Sequence, residues 1–158
     1  MAKRKLANVP EEKIQAMTAR LEQIGRSVGI SFKWGGKIGS TRDAHRLIYY
    51  TQQVKPECQD AVVEGLFHAY HELEKDVSDH GVLRQIAIEA VLERREVDGL
   101  LVSDHGGDVV DRETQLNKAG SRTGVPFFII QDEYSVDGAQ DIMEFLEAFS
   151  KVKGKTSS

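Results

Sequence analysis

The chain has 158 residues, with 21 Lys+Arg against 25 Asp+Glu and a formal charge of −4, which is one domain's worth of polypeptide. Hydrophobic residues at 40% and charged residues at 29% exclude a disordered acidic tail or a fibrous repeat, so a packed core is expected. The mild acidity offers no basic face for nucleic acid, no apolar run approaches the ~20 residues of a membrane span, and Lys3, Arg4 and Lys5 lead into Asn8 and Pro10 rather than a signal-like stretch; the expected address is cytoplasmic, with no nucleic acid and no membrane as partner.

Residues 1–9 read as a flexible N-terminus. From Pro10 to Val28 the apolar positions Ile14, Met17, Leu21, Ile24 and Val28 step by three and four, which predicts a helix with one apolar stripe. Pro10 suits its first turn, Glu11 and Glu12 suit its positive end, and Gly29 suits a left-handed stop. Ile30, Phe32 and Trp34 alternate with polar residues and read as a short extended stretch, broken by Gly35-Gly36.

Ser40 or Thr41 caps a second predicted helix running to about Gln53, with Ala44, Leu47, Ile48 and Thr51 inward. Pro56 opens a third, whose stripe is Cys58, Val62, Leu66, Ala69, Tyr70 and Leu73. Ser78 or Asp79 caps a fourth carrying Leu83, Ile86, Ala87, Ala90 and Val91 and ending at Glu93-Arg94-Arg95. Leu100-Leu101-Val102 is short and apolar enough to be a strand, and Val109 to Ala119 forms a weaker fifth helix.

After Gly124 the character changes. Val125 to Ile130 is a continuous β-favouring run, and Tyr134-Ser135-Val136 follows across the polar turn Gln131-Asp132-Glu133, which predicts a hairpin. A helix from Gly138 onward would turn Ile142, Phe145, Leu146 and Phe149 inward, and residues 153–158 read as a flexible tail. Phe127 to Ile130 is apolar on both faces, as in a strand covered on both sides. A lone hairpin is marginal in water, so this one calls for a larger sheet, for tight helical cover, or for a second chain at its edge.

Several motifs carry possible chemistry, each with a plainer reading. Gly35-Gly36-Lys37-Ile38-Gly39-Ser40-Thr41 is rich in glycine like a phosphate loop, but its Lys precedes the last Gly. His68 and His71 lie three apart on one helix, a spacing open to a metal pair but also to rim histidines. Asp104-His105 would project where a strand gives way to a loop, as a catalytic dyad or as ordinary turn chemistry. Cys58, the only cysteine, sits on an apolar stripe as a small hydrophobe. Trp34 reads as core. His45 lies one turn into its helix beside Ala44, placed to bond backbone or a carboxylate, or to act as acid or base.

Gly39-Ser40-Thr41-Arg42-Asp43-Ala44-His45-Arg46-Leu47 resembles the "Asn-Thr-x-x-Ala-His-Arg-Leu" helix start of DsbA-like thioredoxin proteins, specifically the FrnE-like branch. Val125-Pro126-Phe127-Phe128-Ile129-Ile130 and then Val136-Asp137-Gly138-Ala139-Gln140 resemble that family's "Val-Pro-x-Phe" strand and "Val-x-Gly-Ala-Gln" helix entry. Leu66-Phe67-His68-Ala69-Tyr70, Asp76 and Leu83 keep the family's order between them, so the resemblance runs from about Ile14 to Phe149.

It implies an α/β, mostly helical, partial thioredoxin fold: one DsbA-like domain over residues 10–152, made of a helical subdomain (10–120) and a C-terminal β-hairpin and helix (121–152). It also implies a cis Val125-Pro126 bond facing substrate, and a substrate or glutathione site at Val125, Pro126, Asp137, Gly138 and Ala139, with His45 as a candidate catalytic group. The departures are Ser40 where the family has Asn, and the lack of the N-terminal strand and Cys-x-x-Cys helix. The expected protein is therefore of oxidoreductase ancestry without dithiol–disulfide exchange, with no metal. Two alternatives stand beside it: an isomerase or transferase using glutathione or another small molecule, and a non-catalytic binding module. A homodimer joined through the strand edge or hairpin face is the expected assembly.

Overall fold

The computed structural model describes residues 9–119 and 126–155. The chain groups into two compact units, Met1–Asp111 and Arg112–Ser158. Among the described residues no helix is long and apolar enough to cross a membrane.

The first unit is helical. Helix α1 (Glu11–Ser27) ends as its sequence predicts. Gly29 sits at φ 84°, the Ile30 N–H reaches back to Gly25 O (2.8 Å) and the Gly29 N–H to Arg26 O (3.3 Å), a left-handed stop that closes two orphan carbonyls. Its apolar stripe is not core: Met17, Leu21, Ile24 and Val28 are all exposed. The helix is held instead by the segment that follows it. Phe32 packs so closely on Gly25 that a Cβ there would lie 2.7 Å from its ring, and Trp34 Nε1 donates to Glu22 (2.8 Å).

That segment, read from its alternation as a short extended stretch, pairs with no strand among the described residues. Its N–H groups go to the end of the third helix: Ser31 to Glu72 Oε2 (2.8 Å), Lys33 to His71 O (2.8 Å) and Gly35 to Glu74 Oε1 (2.5 Å). Trp34 is half exposed, not core, and stacks on Phe32 at 5.8 Å.

Helix α2 (Arg42–Val54) and helix α3 (Gln59–His71), the latter entered through a 3₁₀ turn at Pro56–Cys58, pack on α4 (His80–Glu89) and α5 (Arg94–Val102). Leu47, Val62, Leu83 and Val97 are fully buried at their crossing, each contributing about 1.5–3 kcal/mol by leaving water. Ala44, Thr51, Leu66, Ala69, Ile86 and Ala87 are buried as their spacing predicts, whereas Leu73 is exposed. Asp79 caps α4, its carboxylate accepting the Gly81 and Val82 N–H groups.

The fourth predicted helix does not run through to Arg95. It stops at Ala90 because Val91 takes φ 65°, with Val91 N–H on Ile88 O (2.9 Å) and Leu92 N–H on Ala87 O (2.9 Å). This is the same stop as at Gly29, but with a β-branched residue where glycine is usual. Leu92, not Val91, is the buried residue there. Leu100-Leu101-Val102 is likewise not a strand but the last turn of α5, with Leu100 and Leu101 facing the core.

Helix α6 (Gly107–Ala119) begins in the first unit and ends in the second. The second unit continues with β1 (Phe127–Ile130), β2 (Tyr134–Asp137) and α7 (Ile142–Lys155). The strands pair antiparallel, Phe128 opposite Val136 and Ile130 opposite Tyr134. Their turn places Gln131 and Asp132 at φ 53° and 56°, the left-handed geometry that tight hairpins demand.

Among the described residues this sheet has two strands. Val136 and Ala148 are buried and Phe128 meets Phe145 edge-on at 4.9 Å, while Ile129 stays exposed. The expected inward face of the last helix is mostly outward: Ile142, Leu146 and Phe149 are exposed. That helix also starts later than expected, at Ile142 rather than Gly138. Gly138 has φ 86°, and the Asp141 carboxylate takes the Met143 N–H (2.9 Å) in the first turn.

Candidate functional site

The entry to α2 builds a pocket. Ile38, Gly39 and Thr41 lead in, Ala44, His45 and Ile48 follow at helical spacing, and Val63, Leu66, Phe67, Tyr70 and His71 face them from α3, enclosing about 360 Å³. Successive turns of two packed helices put these residues together, so the site follows from the periodicities that build the core. His45 is exposed at the rim, and its Nδ1 lies 2.8 Å from Thr41 O. A carbonyl oxygen only accepts, so Nδ1 carries a proton, and in the neutral tautomer with that bond Nε2 is the acceptor. This is the backbone bond that the sequence offered as one role for His45, and it leaves the other nitrogen as an acceptor. The His71 ring stands edge-on to Phe32 (5.5 Å) and Tyr70 (5.0 Å).

Next in the chain is a residue given no role by the sequence reading. Arg46 is 2% exposed. Its Nε donates to His105 O (3.0 Å), Nη2 to Leu100 O (2.8 Å) and Ser103 O (2.7 Å), and Nη1 to Asp43 Oδ1 (2.9 Å). A fork of donors thus closes the carbonyl end of α5, where the chain's dipole also favours a cation. Asp43 in turn accepts His80 Nε2 at 2.9 Å. Burial would raise the Asp43 carboxyl, but the bonds from His80 and Arg46 outweigh it and hold it below its ordinary value. The signal in the sequence was a single Arg between the inward Ala44 and Leu47, on a face where a charge needs a reason.

The other candidates are taken up by structural bonds. Arg42 grips Asp111 with two nitrogens (2.8 and 2.9 Å) and Asp104 with the third (2.6 Å), holding both carboxyls below their usual range. Asp104 therefore pairs with an arginine and not with His105, whose ring faces Tyr50 at 6.5 Å. In the glycine-rich turn Lys37 Nζ sits on Asp76 (2.7 Å), and the Glu74 carboxylate already occupies the Gly35 N–H, an anionic setting hostile to phosphate. His68 bonds Glu72 at 3.0 Å. Among the described residues no three His, Cys, Asp or Glu side chains form a group that could hold a metal ion. Cys58 is half-buried at the end of the 3₁₀ turn.

The second unit brings Pro126, Asp137, Gly138 and Ala139 together at the mouth of the hairpin, where the Gly138 N–H donates to Pro126 O (2.9 Å). Val125, and with it the geometry of the Val125-Pro126 bond, lies outside the described residues, and His45 belongs to the other unit. These residues fit the carboxylates of glutathione poorly. The Gly138 N–H is already bonded, Asp137 O accepts Gln140 Nε2 (2.7 Å), and the first turn of α7 is served by the chain's own Asp141 carboxylate.

Comparison with known proteins agrees with the architecture. A search of curated proteins found no match. Among solved structures, the chain is similar to a probable DsbA oxidoreductase from Streptomyces coelicolor, with 26% identity and a TM-score of 0.81 over 94% of this chain. The match covers 64% of that protein's length. The model of the DSBA-like thioredoxin domain matches residues 1–150. With nearly the whole length matched in sequence and the same fold in a solved relative, the chain belongs to the DSBA-like thioredoxin domain family.

Proposed function

We propose that these 158 residues form a FrnE-like member of that family which does not exchange dithiols and instead works by binding. The observation that carries the reading is the cysteine count: Cys58 alone. Disulfide exchange by a dithiol enzyme needs one sulfur to attack and a second to resolve the mixed disulfide. A protein with one half-buried thiol and no pair to oxidise also suits the reducing cytoplasm. The groups that would activate chemistry elsewhere, Asp104, Asp43, Lys37 and Glu72, are engaged in structural pairs.

An insulin-reduction assay with dithiothreitol tests this. The expected rate is that of dithiothreitol alone; turnover that rises with protein concentration and survives Cys58→Ser overturns the reading.

Self-association through the hairpin is part of the same proposal. Phe128 and Ile129 are exposed on a sheet that has two strands among the described residues, and a hairpin of that size gains from cover by a second copy. Light scattering on the eluting protein should give twice the chain's 17.6 kDa at micromolar concentration. A folded monomer there, unchanged by Ile129→Lys, removes the dimer.

A further inference from the structure

We propose that the pocket between α2 and α3 is a binding site for a compact, uncharged, apolar molecule carrying one hydroxyl, which donates its proton to His45 Nε2. Three observations support it. The volume, about 360 Å³, falls at the lower end of the range for small-molecule sites, about 300–1,000 Å³. None of the described residues lining it is Lys, Arg, Asp or Glu, so a charged ligand would surrender its hydration with no Lys, Arg, Asp or Glu to pair with. The rim imidazole is oriented, its Nδ1–H spent on Thr41 O, and in the neutral tautomer the nitrogen left over is an acceptor. At that nitrogen a hydroxyl is preferred to an ether or a carbonyl of the same shape.

The same lining argues against a polypeptide occupant. An inserted segment brings an N–H and a C=O with every residue, and each needs a partner when it is buried. Apart from His45, His71, Thr41 and Tyr70, the side chains here are apolar. The aromatic wall of Phe67, Tyr70 and His71 offers ring faces and edges to an apolar body. The inference is independent of the sulfur count, and its failure would leave the absence of dithiol exchange untouched.

The test uses the full chain, ¹⁵N-labelled, titrated with 4-tert-butylphenol, with its methyl ether and with 4-tert-butylbenzoate. The phenol is expected to shift amides of residues 41–48 and 63–71, and to bind about three- to tenfold more tightly than the ether, the range for one hydrogen bond. The benzoate should bind most weakly. His45→Leu should bring phenol and ether to equal affinity while leaving the helical spectrum intact, and Val63→Trp, which fills the pocket, should abolish both. Equal affinities in the wild type, tightest binding by the benzoate, shifts confined to other surfaces, or no binding at the solubility limit would each overturn the proposal. So would pocket amide shifts that follow protein concentration alone, which would mark a second copy as the occupant.

Discussion

Replacing Arg46 by Met keeps most of the stem packing and deletes the fork. Three of its four acceptors are backbone carbonyls, at Leu100, Ser103 and His105, and no second substitution can remove those. The apolar replacement therefore cannot become neutral in the way a fully exchanged buried ion pair can. The Leu100 carbonyl is buried, and leaving it unpaired costs about 1–3 kcal/mol. Breaking the bond to Asp43 adds less than the 3–5 kcal/mol of a fully buried pair, because that carboxylate is 28% exposed and retains His80.

A net loss of about 3 kcal/mol follows, which at a urea slope of about 2 kcal/mol/M lowers the midpoint by about 1.5 M. Trp34 is the only tryptophan and lies in the same unit, so its fluorescence reads the unfolding of that unit without a label. Arg46→Lys keeps the charge but offers a point in place of a planar fork, and should lose about half as much. A midpoint shift under about 0.5 M for Arg46→Met, or a Lys variant indistinguishable from wild type, would refute the helix-end role.

Three further outcomes can be measured. Val91 holds a left-handed conformation while 68% exposed, so Val91→Gly should relieve about 1–2 kcal/mol of backbone strain and return about 0.4–1 kcal/mol through a freer unfolded chain, a net gain visible as a higher urea midpoint; Val91→Ala, which keeps a Cβ, should gain less, and an equal gain would disprove the strain. Gly65→Ala would place a Cβ 2.8 Å from Ile86 Cγ2, and overpacking of about 1–3 kcal/mol should outweigh about 1 kcal/mol of improved helix propensity, lowering the melting temperature; a rise would show that α3 and α4 can separate freely. Hydrogen bonds from Lys37, then from Ser78, hold the Asp76 carboxyl at about 2 against an ordinary 3.8. Because the folded value is the lower one, the stabilisation is complete above pH 3.8 and disappears as pH falls towards 2; the melting temperatures of wild type and Asp76→Asn should thus differ at pH 7 and converge at pH 2, and a constant gap would contradict the pairing.

Helices with a regular stripe and an ordinary stop were legible in the sequence. Gly29 marked the end of α1, Asp79 the start of α4, and Ala44, Leu47 and Thr51 the buried face of α2. The break between α4 and α5 was not, because the residue that turns left-handed is Val91 and nothing in its chemistry announces it. Leu100 to Val102 imitates a strand because three apolar residues in a row look alike at the end of a helix and in a sheet. Periodicity also says which face is apolar but not what meets it: the stripe of α1 is exposed, and that of α7, expected to face inward, is mostly exposed too. At the candidate site His45 could be singled out because imidazole is conspicuous. Arg46 was marked only as a charge on an inward face; its role was not legible, because three of its four acceptors are carbonyls 54 to 59 residues away, and backbone acceptors leave no mark in the side-chain alphabet.

That separation has a consequence for biosynthesis. At a ribosomal rate of about 5–20 residues per second, the acceptors at Leu100, Ser103 and His105 are polymerised roughly 3–12 s after Arg46. Until α5 has emerged, the guanidinium on the nascent α2 has only water in place of those three carbonyls, and it cannot reach its native setting. Closure of this fork thus waits on residues made late in the helical unit, and the bonds that bury Arg46 form only once its last carbonyls are present.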